Sequence, residues 1–381
     1  MSETDQTWTR AGRSRRESGA SSSGVPALAA VPRAGTTDTT SSLGFKTSPR
    51  SSLGSGLARV WPYVQIARVD HWFKNAFMLL GVVLAFFYHP ELFAWRSLPV
   101  LGIALVATCL VASSNYVLNE LLDGPRDRMH PKKQFRPVPS GLIRPSLAYA
   151  EWLALGAAGV GMAMQVNPQF AFSALALWLL GVTYNVSPLR TKEWPYLDVL
   201  SESANNAVRL LLGWFPLIAD RVPPMSLVLS YWMVGAFFMA TKRYAEYRHI
   251  GNPQVAAAYR GSFSHYNEER LLVSILFYAT TCALFAGIFM VRYHLELILF
   301  VPVAAGMLAY YLHIGMLPDS PVQNPEKLYR EKGFFAYMCG CAVLFVLLMF
   351  TSIPSLYDVF NVEPTRAEPL WTVGSKQTPV R

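Results

Sequence analysis

Four residues with oxygen-bearing side chains lie together directly after an apolar run of the sequence. They are Asn119, Glu120, Asp123 and Asp127. Residues four apart lie on one side of a helix, so Asn119, Asp123 and Asp127 would point the same way, with Glu120 beside them. Adjacent acids repel each other unless a cation is present, and hard oxygen ligands suit Mg²⁺, which takes substrate phosphate oxygens as further ligands. The spacing indicates a metal site for a phosphate-bearing ligand, against the simpler alternative of acids in a solvated loop.

The segment that follows combines a proline with several basic residues. Pro125 lacks the amide hydrogen that a helix needs and should break or kink it, so we expect Asp127 to lie on a loop. Lys132, Lys133, Arg136 and Arg144 then supply the forked and point charges that bind phosphate groups. Attraction to lipid headgroups would explain such bases as well. Of the four, Arg136 is the one we favour as a ligand contact.

A second group of polar residues follows another apolar run. It contains Tyr184, Arg190 and Lys192, and then two acids four residues apart, Asp198 and Glu202. Two acidic pairs on separate loops could hold two metal ions on one diphosphate and so neutralise a leaving group. Either pair alone would be a weak indication, and two pairs at the same depth strengthen the interpretation.

A third polar group begins at the end of a later apolar run with Lys242, Arg243 and Tyr244. These bases either bind phosphate or extend from the membrane end of a helix toward the lipid headgroups. Farther along, residues 259–266 are typical of a helix at the membrane interface. The histidines lack the spacing of a zinc enzyme, which argues against a zinc or haem protein.

The three polar groups lie between long apolar segments, which predict membrane helices. The fifth segment contains Glu202, Asn205, Asn206 and Arg209, which we expect to face the interior and not lipid. The sequence thus predicts an all-α polytopic membrane protein with about nine transmembrane helices around a central cavity. The predicted segments are 73–88, 98–118, 147–165, 169–186, 200–218, 225–240, 271–290, 295–314 and 333–353.

Basic residues are distributed unevenly between the loops. If the N-terminus is cytoplasmic, the inner loops carry most of the Lys and Arg residues, whereas the short outer loops carry only Arg96, Arg221 and Arg292. This pattern predicts a multi-pass protein of the cell membrane with its N-terminus and candidate site loops in the cytoplasm. It also accounts for the net charge of +9 without a nucleic-acid partner, since no zinc-finger spacing or RNA-binding signature is present.

Composition divides the chain into three parts. Residues 1–57 are rich in Ser, Thr, Arg and Gly and lack an apolar segment, which is typical of a disordered tail. Residues 58–354 form the predicted membrane domain, and residues 355–381 form a short C-terminal tail. The four cysteines lie in or beside apolar segments, and we interpret them as small membrane-embedded residues.

The acidic motifs resemble those of the UbiA superfamily of intramembrane prenyltransferases. That family's first motif, Asn-Asp-x-x-Asp-x-x-x-Asp, is similar to residues 119–127, with Glu120 in place of the first Asp. Its second motif, Asp-x-x-x-Asp, is similar to residues 198–202, with Glu in the last place. The likeness covers about residues 60–353 and implies nine helices and Mg²⁺. It also implies catalytic acids at Asp123, Asp127, Asp198 and Glu202, and Mg²⁺ ligands at these four and at Asn119 and Glu120.

Within this superfamily the chain is similar to the decaprenyl-phosphate phosphoribosyltransferases. Three stretches carry that likeness: residues 71–75 (His-Trp-Phe-Lys-Asn), 242–246 (Lys-Arg-Tyr-Ala-Glu) and 259–266 (Tyr-Arg-x-Ser-Phe-x-x-Tyr). The resemblance implies phosphoribosyl diphosphate as the soluble donor and a polyprenyl phosphate as the lipid acceptor. The residues that would bind these substrates are Lys74, Asn75, Arg128, Lys133, Arg136, Tyr184, Arg190, Lys192, Lys242, Arg243 and Tyr244.

Two other functions stay open at this point. A related enzyme would move a polyprenyl chain from polyprenyl diphosphate to an aromatic ring or a glycerol phosphate, and the same acids would serve it. The basic residues discriminate, because a sugar-phosphate donor needs them and an aromatic acceptor does not. A polytopic transporter is the alternative of another class, but the two halves of the chain share only a loose similarity. The sequence leaves open the lipid chain length, the acceptor and a possible homo-oligomer.

Overall fold

A computed structural model of the protein describes residues 52–128, 133–323, 328 and 330–363. The predicted N-terminal tail, up to residue 51, and the C-terminal tail after residue 363 lie outside the described residues. The described part of the chain consists of helices and connecting turns and contains no β-sheet. The predicted all-α class is therefore confirmed.

Twelve α-helices follow one another in this part of the chain. A 3₁₀ stretch, Val69–Met78, joins the first to the second, and another, Leu295–Phe300, precedes the tenth. The helices are α1 (Ser52–Ile66), α2 (Leu79–Tyr88), α3 (Leu98–Asp127), α4 (Pro145–Val166), α5 (Pro168–Asn185), α6 (Leu197–Trp214), α7 (Met225–Ile250), α8 (Pro253–Tyr259), α9 (Glu268–Tyr293), α10 (Val301–Met316), α11 (Lys332–Met349) and α12 (Pro354–Val359).

Each of the nine predicted apolar segments lies largely within a helix. Seven helical runs of the described residues are long and apolar enough to cross a membrane. The helices α5 and α6 are outside that group although each has 18 residues, because polar residues end the first and charged residues, including Arg209, occupy the second. The seven runs are Arg59–Tyr88, Trp95–Asp127, Pro145–Val166, Met225–Ile250, Glu268–Tyr293, Leu295–Met316 and Lys332–Met349.

Asparagine followed by proline or acids starts several of the helices. Asn167 caps α5 by accepting a hydrogen bond from the Phe170 amide at 2.8 Å, and Pro168 supplies a first residue that needs no amide partner. The Asn167 amide group also donates to the Phe215 carbonyl at 2.8 Å. Because Phe215 directly follows α6, this one side chain fixes the start of α5 against the end of α6.

The helix α3 passes through Pro125 and ends at Asp127, so the predicted break at the proline, with Asp127 on a loop, is wrong. Proline usually disfavours helical backbone in the residue before it, because its ring collides with that residue's Cβ. Here the preceding residue is Gly124, which has no Cβ. Asp123 and Asp127 therefore lie one turn apart on the same helix.

A close contact between α2 and α6 is made by two glycines. A Cβ on Gly213 would lie 1.9 Å from the Met78 carbonyl oxygen, and a Cβ on Gly81 would lie 2.0 Å from the Leu210 carbonyl oxygen. Small residues at a contact of membrane helices let the two backbones approach. The two glycines thus hold the 3₁₀ stretch before α2 against the middle of α6.

The apolar core has two main clusters. One joins α2, α3, α5 and α6 and includes Leu84, Phe170 and Trp214, each at most 1% exposed. The other surrounds α7 and α9 and includes Phe237 and Leu271. Residues of α6, α7 and α9 occur in both clusters, so these three helices connect them.

Gly213→Ala should lower the melting temperature of the detergent-purified protein. The added methyl group overlaps the Met78 carbonyl, so α2 and α6 must separate, and such overpacking typically costs about 1–3 kcal/mol. Gly102→Ala in α3 is the matched control, because a Cβ there meets no atom within 4 Å and alanine favours helix. Equal melting temperatures for the two variants would contradict the close contact.

Candidate active site

The first acid of the site, Asp123, is paired with two bases of the second predicted group. Its Oδ1 accepts from Lys192 Nζ at 2.5 Å and from Arg190 at 3.2 Å. Lys192 also donates to Asn185 Oδ1 at 2.8 Å, and the same oxygen accepts from Asn119 Nδ2 at 2.7 Å. Burial lowers the pKa of Lys192, and its bond to Asp123 opposes that shift. The two sequence motifs therefore meet; we call this end of the bundle, where α3 ends and α6 begins, the acidic end.

Asp127 and Glu120 are held by the segment that follows α3. Asp127 Oδ2 accepts from Arg136 at 2.9 Å, and its Oδ1 lies 3.9 Å from Lys133 Nζ. Glu120 is buried and accepts a hydrogen bond from the backbone amide of Val138 at 3.3 Å. Of the bases predicted here, Lys133 and Arg136 thus reach the acids, and Arg128 lies exposed just beyond α3.

Asp198 lies at the start of α6 and is fully buried. Its Oδ1 accepts from the Tyr266 hydroxyl at 2.7 Å, and its Oδ2 accepts from Arg243 at 3.0 Å and from Ser262 at 3.2 Å. Arg260 Nε lies 3.5 Å from the same Oδ2. Both carboxylate oxygens are therefore surrounded by donors of this chain.

Arg243 pairs with three carboxylates and is 2% exposed. Besides Asp198, it donates to Glu202 Oε2 at 2.7 Å and to Glu246 Oε2 at 3.0 Å. The Tyr184 hydroxyl donates to the same oxygen of Glu202 at 2.9 Å. The resemblance implied that Arg243 binds substrate; in the structure its guanidinium is buried and paired with these three carboxylates.

The segment 259–266 does not form the interfacial helix that the sequence predicted. The short α8 ends at Tyr259, and a 3₁₀ turn, Gly261–Ser264, follows it. Ser262, Phe263 and Tyr266 are buried. The prediction was wrong because two polar side chains of the segment bond to Asp198 and draw the chain over the acidic end.

Arg260 joins this segment to the loop between α5 and α6. It donates to the Tyr184 hydroxyl at 2.8 Å and to the Lys192 carbonyl at 3.2 Å. Although burial lowers the pKa of a guanidinium, neighbouring Tyr184 and Asp198 outweigh it, and the pKa of Arg260 is raised. Arg260 was not among the residues predicted for the site, although it lies in the stretch 259–266 that carries the family likeness, and that likeness was the signal that could have identified it.

Glu193 is a second residue of the site that was not predicted from the sequence. It accepts from the Gly261 amide at 2.9 Å and from Arg190 at 3.3 Å, and it forms an ion pair with Arg126 at the end of α3. Burial raises the pKa of Glu193, but these three donors outweigh burial and hold the pKa below its usual value. Glu193 thus stays ionised and connects all three polar segments.

Three further residues predicted for the site, Lys74, Lys242 and Tyr244, contact other neighbours. Lys74 Nζ is 3.2 Å from His71 Nδ1 on the 3₁₀ stretch before α2. Lys242 Nζ lies 3.9 Å from Glu246. Tyr244 is 4% exposed and packs in the α7–α9 core, so the structure does not bring it to the acids.

A polar stripe on α6 continues from the acidic end into the bundle, as predicted for the fifth apolar segment of the chain. Arg209 Nε donates to Asn75 Oδ1 at 3.1 Å, and Asn75 Nδ2 donates to Cys109 Sγ at 3.1 Å. Asn75 is 1% exposed. The prediction that Arg209 faces the interior is therefore confirmed.

The carboxylate oxygens of the acidic end fit a hard cation such as Mg²⁺. Asp123 and Asp127 present carboxylate oxygens on one side of α3, and Mg²⁺ usually takes one or two carboxylates together with water and phosphate. Within the described residues, no group of three or more His, Cys, Asp and Glu side chains is close enough to hold a metal unaided. Phosphate oxygens would therefore have to complete such a site.

Two surface cavities lie away from these residues. One, of about 400 Å³, is lined by the ends of α7 and α9, and the other, of about 370 Å³, lies between α5 and α6. Neither is lined by a residue of the acidic motifs. We therefore locate the site by the convergence of charged side chains.

Comparison with known proteins agrees with this arrangement. A model of the UbiA prenyltransferase family matches residues 75–339. The chain belongs to the UbiA prenyltransferase family. It is therefore a transferase of the UbiA type and a multi-pass membrane protein. The matched range contains both acidic motifs and most of the bases that pair with them.

Individual relatives differ in their reactions. Over 243 residues the chain is 27% identical to a decaprenyl-phosphate phosphoribosyltransferase of Mycobacterium tuberculosis, covering 64% of this chain and 76% of that one. It is 30% identical over 212 residues to a protoheme IX farnesyltransferase of Alkalilimnicola ehrlichii, covering 52% and 68%. The structure of a UbiA homolog from Archaeoglobus fulgidus bound to DMAPP and Mg²⁺ has a TM-score of 0.57 and 18% identity, covering 78% of this chain and 99% of that one. The last similarity supports the fold alone.

Arg243→Leu should destabilise this UbiA-family protein strongly. It leaves three carboxylates beside one another without their shared cation, and removing one partner of a buried ion pair typically costs about 3–5 kcal/mol. Thermal unfolding in detergent measures the loss. The matched control is Arg248→Leu on the same helix, whose ion pair with Glu268 is exposed and should contribute less than about 1 kcal/mol. A smaller loss of thermal stability in Arg243→Leu than in Arg248→Leu would exclude a role of Arg243 in positioning the acids.

Proposed function

We propose that the protein transfers a 5-phosphoribosyl group from phosphoribosyl diphosphate to a polyprenyl phosphate. The observation that carries the proposal is the meeting of residues 242–246 and 259–266 at Asp198. These two stretches distinguish the phosphoribosyltransferase resemblance from the rest of the family, and they close over one motif through Arg243, Ser262 and Tyr266. The relative from Mycobacterium tuberculosis carries the same activity in its name.

The proposed reaction exchanges one bond at the anomeric carbon. The C1–O bond to diphosphate breaks, and diphosphate leaves with the bonding electrons. A phosphate oxygen of the lipid forms the new C1–O bond. Because the attacking phosphate is already ionised, no general base has to remove a proton. The difficulty lies in stabilising charge on the leaving group, which is the role of prearranged cations.

The acidic end supplies groups for these tasks. Asp123 and Asp127, with Asn119 and Glu120 nearby, would hold Mg²⁺, which would neutralise the leaving diphosphate. Lys133, Arg136, Arg190 and Lys192 would exchange their present carboxylate partners for phosphate oxygens of the donor. Lys74 and Lys242 would bind the sugar phosphate.

Asp198 and Glu202 have a different role in this proposal. Asp198 is fully buried, and its oxygens already accept from Tyr266, Arg243 and Ser262. We propose that it positions the loops, while Glu202, whose side chain is 30% exposed, remains available to the metal.

The membrane arrangement follows from the two substrates. The lipid acceptor would enter from the bilayer, and the soluble donor from the aqueous side at the acidic end. We propose that this end faces the cytoplasm, since the inner loops carry the excess of basic residues.

Transfer can be tested directly with radiolabelled phosphoribosyl diphosphate, polyprenyl phosphate and Mg²⁺. We expect label in the lipid extract, lost with a chelator and reduced at least about 100-fold by Asp123→Ala, because a transition-state charge stabiliser is removed. Arg292→Gln at the far end of α9 serves as the control and should retain full activity. The proposal would be refuted if folded wild-type protein left the lipid unlabelled, or if Asp123→Ala kept full activity.

A Mg²⁺ titration of the same reaction can distinguish the roles of Asp123 and Asp198. Asp123→Asn should raise the Mg²⁺ concentration for half-maximal rate about 10-fold or more, since a ligand oxygen loses its charge. Asp198→Asn should lower the maximal rate and the melting temperature but leave the Mg²⁺ requirement unchanged. An equal rise for both variants would instead make Asp198 a metal ligand.

Prenyl transfer is the second candidate, supported by the similarity to the protoheme IX farnesyltransferase. The same preparation, incubated with polyprenyl diphosphate and aromatic or glycerol phosphate acceptors, distinguishes it. Prenylated product together with no phosphoribosyl transfer would select this candidate. Membership of a transferase family removes the support for a transporter.

A further inference from the structure

Arg209 lies within α6, inside the membrane-spanning bundle. Its Nε donates to Asn75 Oδ1 at 3.1 Å, and Tyr116, Tyr231 and Cys109 surround it. No carboxylate of the described residues forms an ion pair with it. A charged side chain at this depth is costly and usually faces a partner or a ligand. An arginine that donates to an amide oxygen and has no carboxylate partner among the described residues can therefore bind an anion from outside the chain.

The arginines at the acidic end differ from Arg209 in this respect. Arg243 pairs with three carboxylates, Arg136 pairs with Asp127 at 2.9 Å, and Arg260 lies 3.5 Å from Asp198. These cations have their charge compensated within the protein.

The position of Arg209 along α6 shows which side of the site it serves. It follows Glu202 by seven residues, or about 10 Å along the helix axis. Side chains of a helix lean toward its N-terminus, so the guanidinium points back toward the acidic end. It thus lies between the acids and the apolar interior of the bundle. Under the proposed membrane arrangement, a soluble ligand would approach the acids from the opposite side, whereas the phosphate of a lipid would enter through the interior.

One polar atom near Arg209 lacks a hydrogen-bond partner. Asn205 Oδ1, one turn closer to the acidic end, is buried and accepts no hydrogen bond. A buried acceptor without a donor is unfavourable unless a ligand or water satisfies it. The hydroxyl of a singly protonated phosphate monoester would satisfy it, while the phosphate oxygens accept from Arg209.

The subsite has a rigid wall. Asn75 is 1% exposed and is fixed by its bond to Cys109 Sγ at 3.1 Å. The glycine contact between α2 and α6, at Gly81 and Gly213, holds the segment that carries Asn75 against α6. Arg209 is thereby oriented before any ligand arrives, which reduces the entropy that binding would cost.

We propose that Arg209, with Asn205 and Asn75, is the subsite for the phosphate monoester of the lipid acceptor. The assignment of that lipid as an acceptor rests on the proposed function. The binding itself requires neither the donor nor Mg²⁺, so it can be measured apart from transfer.

The test is equilibrium binding to full-length protein in detergent, with chelator and without donor, using polyprenyl phosphate and the polyprenol of the same length. Wild type should bind the phosphate about 10- to 100-fold more tightly than the alcohol, as charge-assisted hydrogen bonds predict. Arg209→Gln should abolish that preference, and Arg209→Lys, which keeps a cation, should retain part of it. Arg292→Gln should bind both lipids as wild type does.

Several outcomes would overturn the subsite. Equal binding of the two lipids by wild type would overturn it without any variant, so the test still decides if Arg209→Gln fails to fold. A retained preference in folded Arg209→Gln does so as well. A third arm measures labelled phosphoribosyl diphosphate with Mg²⁺: if Arg209→Gln weakens its binding and keeps the lipid preference, the anion is the donor's sugar phosphate.

The subsite and the proposed function can fail separately. If no phosphoribosyl transfer occurs but wild type prefers the lipid phosphate through Arg209, the proposed reaction is wrong and the subsite stands. If transfer occurs and the preference is independent of Arg209, the reaction stands and the subsite is wrong.

Discussion

The buried ion pair between Arg243 and Asp198 is the contact on which the acidic end depends. It joins α7 to α6 with both side chains at most 2% exposed. Through Ser262 and Tyr266 the same carboxylate holds the loop after α8, and through its other nitrogens Arg243 holds Glu202. Charges buried this deeply are stable only while every member of the network has its partner. Two helices and a loop are therefore fixed together by one neutralised cluster.

The first motif depends on a different constraint, the continuity of α3. Because the helix extends past Pro125, Asp123 and Asp127 keep a common side and meet bases from two later segments. The Asn185 side chain, which accepts from both Asn119 and Lys192, fixes the distance between the motifs. The acidic end is thus a set of cross-links between segments that are far apart in the chain.

The sequence was sufficient for the helical class, for the apolar segments and for the acids, because hydropathy and four-residue spacing are local properties. It also identified Arg136, Arg190 and Lys192 as belonging to the site. It could not pair particular bases with particular acids, since those pairs form between distant segments. Arg243 shows this, because a base at a membrane end looks the same whether it will meet a phosphate or three carboxylates. The segment 259–266 shows it as well, since its burial depends on Asp198.

The pairing of Asp123 with Lys192 and Arg190 has a consequence for the order in which ligands arrive. A divalent cation that approached alone would have to displace two cations from that carboxylate; Arg190 would keep its ion pair with Glu193, but Lys192 would lose its carboxylate partner. A diphosphate that arrives together with the cation offers those displaced bases new oxygens, so the exchange keeps every charge compensated. Under the proposed function, metal and donor would therefore enter as one complex, and the diphosphate product would leave with its metal as the internal pairs form again.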